Sequence, residues 1–73
     1  MSAQHYTIYE PIVYSATEQN RYKAILSGAA MGTVIVERRG DGITMEIGIG
    51  KNQLLPISTE KITSGPAGVI GLN

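Results

Sequence analysis

The sequence predicts an all-β fold: a small single-domain β-sandwich or barrel of about six short strands with an extended N-terminal arm. Isoleucine, valine, threonine and tyrosine dominate, whereas phenylalanine and tryptophan are absent. Such side chains suit the pleated, half-buried surface of a sheet. The 9 glycines cut the chain into short apolar segments, a pattern typical of strands joined by tight turns.

The length of 73 residues predicts one domain, with residues 1–14 as an arm or edge strand and residues 15–73 as the β domain. A chain this short buries only about 60% of its unfolded surface and needs additional stabilisation. It has no cysteine and a single histidine, His5, so we expect no disulfide, no metal site and no cofactor. The remaining source of stability is a partner subunit, and we therefore expect a homo-oligomer, a ring or trimer.

Charge and hydropathy exclude two classes of partner. Formal net charge is zero, and the basic doublet Arg38-Arg39 is flanked by Glu37 and Asp41. Binding to nucleic acid requires a basic excess on one face, so we expect none. No apolar run approaches the roughly 18 residues of a membrane span, and the first ten residues lack the features of a signal peptide. We therefore expect a soluble protein made in the cytoplasm, with no membrane partner.

Residues 6–14 form the first extended segment, and Pro11 interrupts it. Proline has no N–H for a ladder, which favours an edge strand or an arm over a central strand. The segment is nevertheless too apolar for a free tail. We expect it to make subunit contacts and not core contacts; the alternative is the first strand of the chain's own sheet. The candidate interface residues are Tyr6, Ile8, Tyr9, Pro11, Ile12 and Tyr14.

Residues 15–28 fit two structures. Ser15 and Glu18 have the spacing of a capping box, Tyr22 and Leu26 share a helical face, and Gly28 could end a helix. The alternative is a polar loop followed by a strand over 22–27. Local signals slightly favour the helix.

The next segments predict a hairpin. A strand over 33–38 meets the turn Gly40-Asp41-Gly42, and Asp-Gly between alternating apolar runs is a strong hairpin signal. In the return strand, 43–49, we expect the apolar residues on every second position to face the core: Ile43, Met45, Ile47 and Ile49. Arg39-Gly40-Asp41 spells an adhesion tripeptide, and we interpret it as turn chemistry. Gly48-Ile49-Gly50-Lys51 resembles part of a phosphate loop but lacks its first glycine and its Ser or Thr, so we interpret it as a strand end and turn.

The remainder predicts a turn at 51–53, a strand beginning at 54–57 that residues 60–63 could continue, a turn at 64–68 and a last strand over 69–72. No residues suggest catalysis. A triad of His5 with Ser15 or Ser27 and Asp41 has no supporting local motif, and the carboxylates are scattered singly. We expect no enzyme.

Four stretches resemble small phage virion proteins when taken in order: YEPIVYSATEQNRYKAILSGAAMGTVIV, DGITMEI, LLPI and TSGPAGVIGLN. The resemblance covers residues 9–72. It is to the spike-base proteins on gene-transfer-agent heads and to related tailed-phage structural proteins. Where such proteins often carry Gly-Thr-Thr-Ala, this chain has Ser64-Gly65-Pro66-Ala67.

The resemblance implies a compact β domain that works as a symmetric oligomer on a capsid or tail surface, with no catalytic residues. It also favours a strand over residues 22–27. The expected function is a decoration, cement or spike-base protein located in the virion, with capsid or spike proteins as further partners. The alternative is a cellular small-barrel module that binds a peptide or oligonucleotide.

Overall fold

The structure, a computed structural model, describes residues 6–73 and shows seven strands in two antiparallel sheets, without a helix in that range. The strands are β1 (Tyr9–Pro11), β2 (Ala24–Leu26), β3 (Gly32–Arg38), β4 (Thr44–Ile49), β5 (Leu54–Leu55), β6 (Thr59–Ser64) and β7 (Ile70–Leu72). One sheet has the order β1-β7-β2-β5 and the other β4-β3-β6. The predicted all-β class is confirmed.

The core lies between the two sheets. The three-stranded sheet contributes Val34, Val36 and Ile62, which are fully buried, and the four-stranded sheet contributes Ile25. Residues from the connections complete the cluster, among them Tyr22, Ala30 and Val69.

Two buried hydroxyl groups join the sheets. Ser27 Oγ, just after β2, donates to the Gly50 carbonyl oxygen at 2.5 Å and accepts from the Gln53 amide at 2.7 Å. Thr59 Oγ1, at the start of β6, accepts from the Tyr22 amide at 2.9 Å and donates to the Asn20 carbonyl oxygen. Because each hydroxyl makes two bonds, these polar groups are buried without leaving a partner unsatisfied.

Of the two structures that fit residues 15–28, the polar loop followed by a strand is correct, as β2, and the helix that local signals slightly favour does not form. The N-terminal cap itself forms, since Ser15 Oγ accepts from the Glu18 amide at 2.9 Å. No helix follows, because the main chain of this segment bonds to β6 instead: the Ser15 amide donates to Ile62 and the Asn20 amide to Glu60. A long-range pairing thus overrides a local signal.

The second half of the chain has one strand more than predicted. Residues 54–57 and 60–63 do not continue one another, because β5 ends before Pro56 and the Ile57 amide folds back onto the Leu55 carbonyl oxygen at 2.8 Å. The chain then crosses from the four-stranded to the three-stranded sheet.

The hairpin is confirmed, with β3 and β4 in register from Gly32 opposite Ile49 to Glu37 opposite Thr44. Met45, Ile47 and Ile49 face inward, but the prediction for Ile43 is wrong because this side chain is 51% exposed and precedes the strand. No strand of the opposite sheet exceeds three residues, so the turn end of the longer hairpin is left uncovered.

The hairpin turn yields a prediction about Gly42, whose φ of 70° is unfavourable for a side chain. Gly42→Ala should reduce the free energy of unfolding by about 1 kcal/mol or more. Gly48→Ala is the matched control, since an added Cβ meets nothing within 4 Å at either glycine and Gly48 has no positive φ. Urea midpoints measure both; equal losses would mean that backbone strain is not the cause.

Candidate assembly surface

Tyr22, two residues before β2, contacts β7 and β1 of the four-stranded sheet. Its ring lies over Gly71 of β7, where an added Cβ would come within 2.5 Å of Tyr22 Cζ. Beyond Gly71, the Tyr22 hydroxyl donates to Glu10 Oε2 of β1 at 3.2 Å. Gly71 is therefore required as glycine, because any side chain there would displace the ring that holds β1.

Tyr14 fixes the end of the N-terminal segment in a similar way. Its hydroxyl donates to the Pro66 carbonyl oxygen at 2.6 Å, and an added Cβ at Gly65 would lie 2.6 Å from that hydroxyl oxygen. The ring packs against the core cluster, as does Ile12. The N-terminal segment is thus attached to its own domain at the middle of β1, through Glu10, and again after β1, through Tyr14.

The register of this sheet places an apolar row across all four strands. Pro11 lies opposite Ile70, Ile70 opposite Leu26, and Leu26 opposite Leu54. Four strands at about 4.8 Å spacing make the row about 14 Å wide. Side chains alternate between the two sides of a strand, so this row points away from Ile25 and the core. The row two residues along the strands, in which Tyr9, Leu72 and Ala24 lie opposite one another, points the same way. We call the residues of these two rows the apolar face: Tyr9, Pro11, Ala24, Leu26, Leu54, Ile70 and Leu72.

Burial varies across the apolar face. Tyr9 is 61% exposed, Leu54 is 46% exposed and Pro11 is also exposed. Leu26 and Ile70 are half-buried, whereas Ala24 and Leu72 are buried, although neither belongs to the core cluster. The face carries no charged side chain at any of its strand positions, and its one side-chain hydroxyl is that of Tyr9.

The outer face of the three-stranded sheet has the opposite chemistry. Alternation places polar side chains beside Ile35 there: Thr33, Glu37, Thr44, Glu46, Lys61 and Ser64. One side of the sandwich therefore has the composition of a solvated surface and the other that of an interior. Contiguous apolar surface on a small domain marks an interaction site.

The predicted interface residues divide between two environments. Tyr9 and Pro11 lie on the apolar face, while Ile12 and Tyr14 pack against the core. The expected lack of core contacts is therefore wrong for the latter two, whereas the expected subunit contacts stay a prediction. Ile8 is partly exposed, and Tyr6 is half-buried.

Sequence reasoning missed the rest of the apolar face, which comes from β2, β5 and β7. The sequence contained a signal, because Ala24-Ile25-Leu26 and Leu54-Leu55 are consecutive apolar residues. In a strand with one solvent-exposed face, apolar and polar residues would alternate instead. Unbroken apolar strands are typical of sheets covered on both faces.

The remaining candidate residues have structural partners. Arg39 Nε donates to the Thr59 carbonyl oxygen at 3.1 Å, and Asp41 pairs with Arg38 and accepts from the Ile43 amide at 3.1 Å. Within the adhesion tripeptide, Asp41 thus stabilises the hairpin turn, and Arg39 bonds to the main chain of β6. His5 of the considered triad lies outside the described residues, and Ser27 is occupied by its two bonds between the sheets.

Within residues 6–73, no three His, Cys, Asp or Glu side chains are grouped as metal ligands. The same range holds no helix long and apolar enough to cross a membrane. No protein-family model, curated protein or solved structure matches the chain at a significant level.

The tyrosine contacts predict a loss of stability at alkaline pH. Burial raises the pKa of Tyr22, and the bond to Glu10 raises it further; burial also raises the pKa of Tyr14. A raised pKa means that folding favours the neutral phenol. Its contribution is therefore complete below the unfolded pKa of about 10 and is lost as pH rises through the folded value.

The free energy of unfolding should therefore fall as pH rises above about 10. The double variant Tyr14→Phe/Tyr22→Phe should show a shallower fall. Urea titrations between neutral and strongly alkaline pH give the slopes. If the double variant loses stability as steeply as the wild type, these two phenols are not the groups responsible.

Proposed function

We propose that the chain is a small structural protein of a tailed-phage or gene-transfer-agent virion, a decoration, cement or spike-base protein that assembles into a ring or trimer. The observation that carries this proposal is the apolar face on one side of a sandwich whose other side is polar. The resemblance of residues 9–72 to small virion proteins supplies the setting. The protein would be made in the host cytoplasm and located in the virion.

The occupant of the apolar face is a neighbouring copy of the chain. Each copy contributes the same uncharged residues, so the contact needs no charge complementarity. Burying Leu54 and Tyr9, both partly exposed in the single chain, contributes about 25 cal/mol for each Å² of apolar surface removed from water. For a domain of 73 residues with no disulfide, that gain is a large share of its stability.

The peptide-binding alternative has one supporting observation: within residues 6–73 no strand pairs with the outer edge of β4, where an extended partner could add a strand. An oligonucleotide is a poorer partner, because the formal net charge of the chain is zero.

The virion role is tested on purified particles. In gradient-purified phage or gene-transfer-agent particles from the strain that encodes the chain, mass spectrometry should find it in a constant ratio to the capsid protein. Its presence in the cell lysate combined with its absence from the particles would contradict the role.

Self-association through the apolar face is tested with a charge. Leu54→Lys places an ammonium group in the predicted contact and should reduce the mass measured by light scattering at micromolar concentration. Thr33→Lys adds the same charge to an exposed strand position on the polar outer face and should leave the mass unchanged. Circular dichroism checks that both variants are folded. A wild type that is monomeric, or a Leu54→Lys protein of unaltered mass, would contradict this assignment.

A further inference from the structure

Three of the four sheet edges in the described chain are blocked. At β1, Ile8 exchanges both main-chain bonds with Asn73, and the Ile12 amide donates to Val69. By alternation Tyr9 and Pro11 direct their main-chain groups outward, and Pro11 has no N–H to offer there. An incoming strand would lose a hydrogen bond at that position.

The edges at β5 and β6 are blocked by other means. β5 has only two residues and is followed by Pro56. β6 carries two irregularities in its pairing with β3, and residues 15–22 cover its outer side through bonds to Thr59, Glu60 and Ile62. Short length, bulges and covering segments are the usual protections of a sheet edge.

The edge at β4 has none of these protections. It runs for six residues, Thr44–Ile49, without a proline and in unbroken register with β3. The Arg38 amide donates to the Ile43 carbonyl oxygen, so Met45, Ile47 and Ile49 also bond toward β3. The amide and carbonyl groups of Thr44, Glu46 and Gly48 therefore point outward.

The side chains at this edge are also suited to a partner strand. Met45 and Ile47 face the interior of the sandwich but remain half-exposed, because nothing in the described chain lies beyond β4. An added strand would extend the sheet and cover them.

We propose that β4 pairs antiparallel with β4 of a second copy, in the register centred on Ile47. Glu46 carries the only charge on this strand, and it decides between registers. A pair centred on Glu46 would place two carboxylates directly opposite each other, which is destabilising. Centred on Ile47, Glu46 lies opposite the partner's Gly48, which has no side chain.

The same register matches the inward residues. Ile47 meets the partner's Ile47, and Met45 meets the partner's Ile49, so both cores become continuous across the contact. Glu46 and Gly48 each exchange two main-chain bonds with the partner, which gives about four hydrogen bonds in all. The Gly50 amide and carbonyl already bond to Gln53 and Ser27, which limits the pairing at that end.

This two-fold contact is separate from the apolar face and does not rest on the proposed function. Where both operate, the β4 pairs join two rings or trimers face to face and double the mass. Several weak edge contacts acting together bind more tightly than one.

Single cysteines test the register, because the natural chain has none. Two opposed residues that do not exchange main-chain bonds have Cα atoms about 4.5 Å apart, within the range of a disulfide. Under mild oxidation, folded Ile47→Cys should form a covalent dimer on a non-reducing gel. Met45→Cys should not, since the two cysteines would be separated by about 13 Å along the strands. No dimer from Ile47→Cys, or more dimer from Met45→Cys, would overturn the proposal.

A charge pair at Gly48 provides a second test that leaves the core untouched. In the single chain an added Cβ at Gly48 meets nothing within 4 Å, so the position has room for a side chain. In the dimer, Gly48→Glu faces the partner's Glu46 twice and should raise the dimer dissociation constant about three- to tenfold. Gly48→Lys should leave it unchanged or lower it. Equal effects of the two variants would overturn the register.

Sedimentation velocity of variants that also carry Leu54→Lys distinguishes the β4 contact from the contact through the apolar face. Loss of the apolar contact should leave a β4-linked dimer that still responds to the Gly48 charges. If the Leu54→Lys protein is monomeric and Ile47→Cys does not cross-link in it, the β4 contact is absent, and an extended peptide from another protein becomes the occupant to test.

Discussion

The packing of the two sheets depends on Tyr22. The Tyr22 amide donates to Thr59 Oγ1 at 2.9 Å, and the Thr59 amide donates to the Tyr22 carbonyl oxygen at 2.9 Å. These two bonds join the start of β2 to β6. The Tyr22 ring covers Gly71 and its hydroxyl reaches Glu10 on the far strand. One residue thus holds β1, β7 and β6 together. Because its ring occupies the inner side of the sheet, the sheet closes over the core without a large residue at the centre of β7.

This arrangement has a consequence for the outside of the molecule. The strands β1, β2, β5 and β7 have only two or three residues each, so a single inner row containing Glu10, Gly71, Ile25 and Leu55 faces the other sheet. The remaining strand residues face outward, and none of them is charged. The exposed part of this face, at Tyr9, Pro11 and Leu54, has the character of an interaction site. The proposal of a neighbouring copy follows from its lack of charge and from the small size of the domain.

The hairpin was predictable from the sequence and the joining of the sheets was not. Asp41 and Gly42 act locally: the turn needs a positive φ at Gly42 and a side-chain acceptor at Asp41. Both requirements involve adjacent residues, so the sequence shows them directly. The competition between helix and strand at residues 15–28 was decided by Ile62 and Glu60, about 40 positions away, which no local pattern contains.

The candidate surface was predicted only in part, for a related reason. Tyr9 and Pro11 stood out because a proline interrupts an apolar segment, which is a local signal. Leu26, Leu54 and Ile70 became neighbours only through a register that joins three distant parts of the chain. Their apolar character was visible in the sequence, but the side of the sheet on which they lie was not, because each strand is too short to establish a period.

The most direct test of a covered apolar face is isotope-filtered NMR on a mixture of differently labelled copies. Methyl groups of Leu26, Leu54 and Ile70 should show intermolecular contacts with one another across the mixture, while the methyl groups of Ile35, on the polar outer face, should show none. Intermolecular contacts confined to Ile35, or no intermolecular contact at the three apolar-face residues in an assembled sample, would contradict the account.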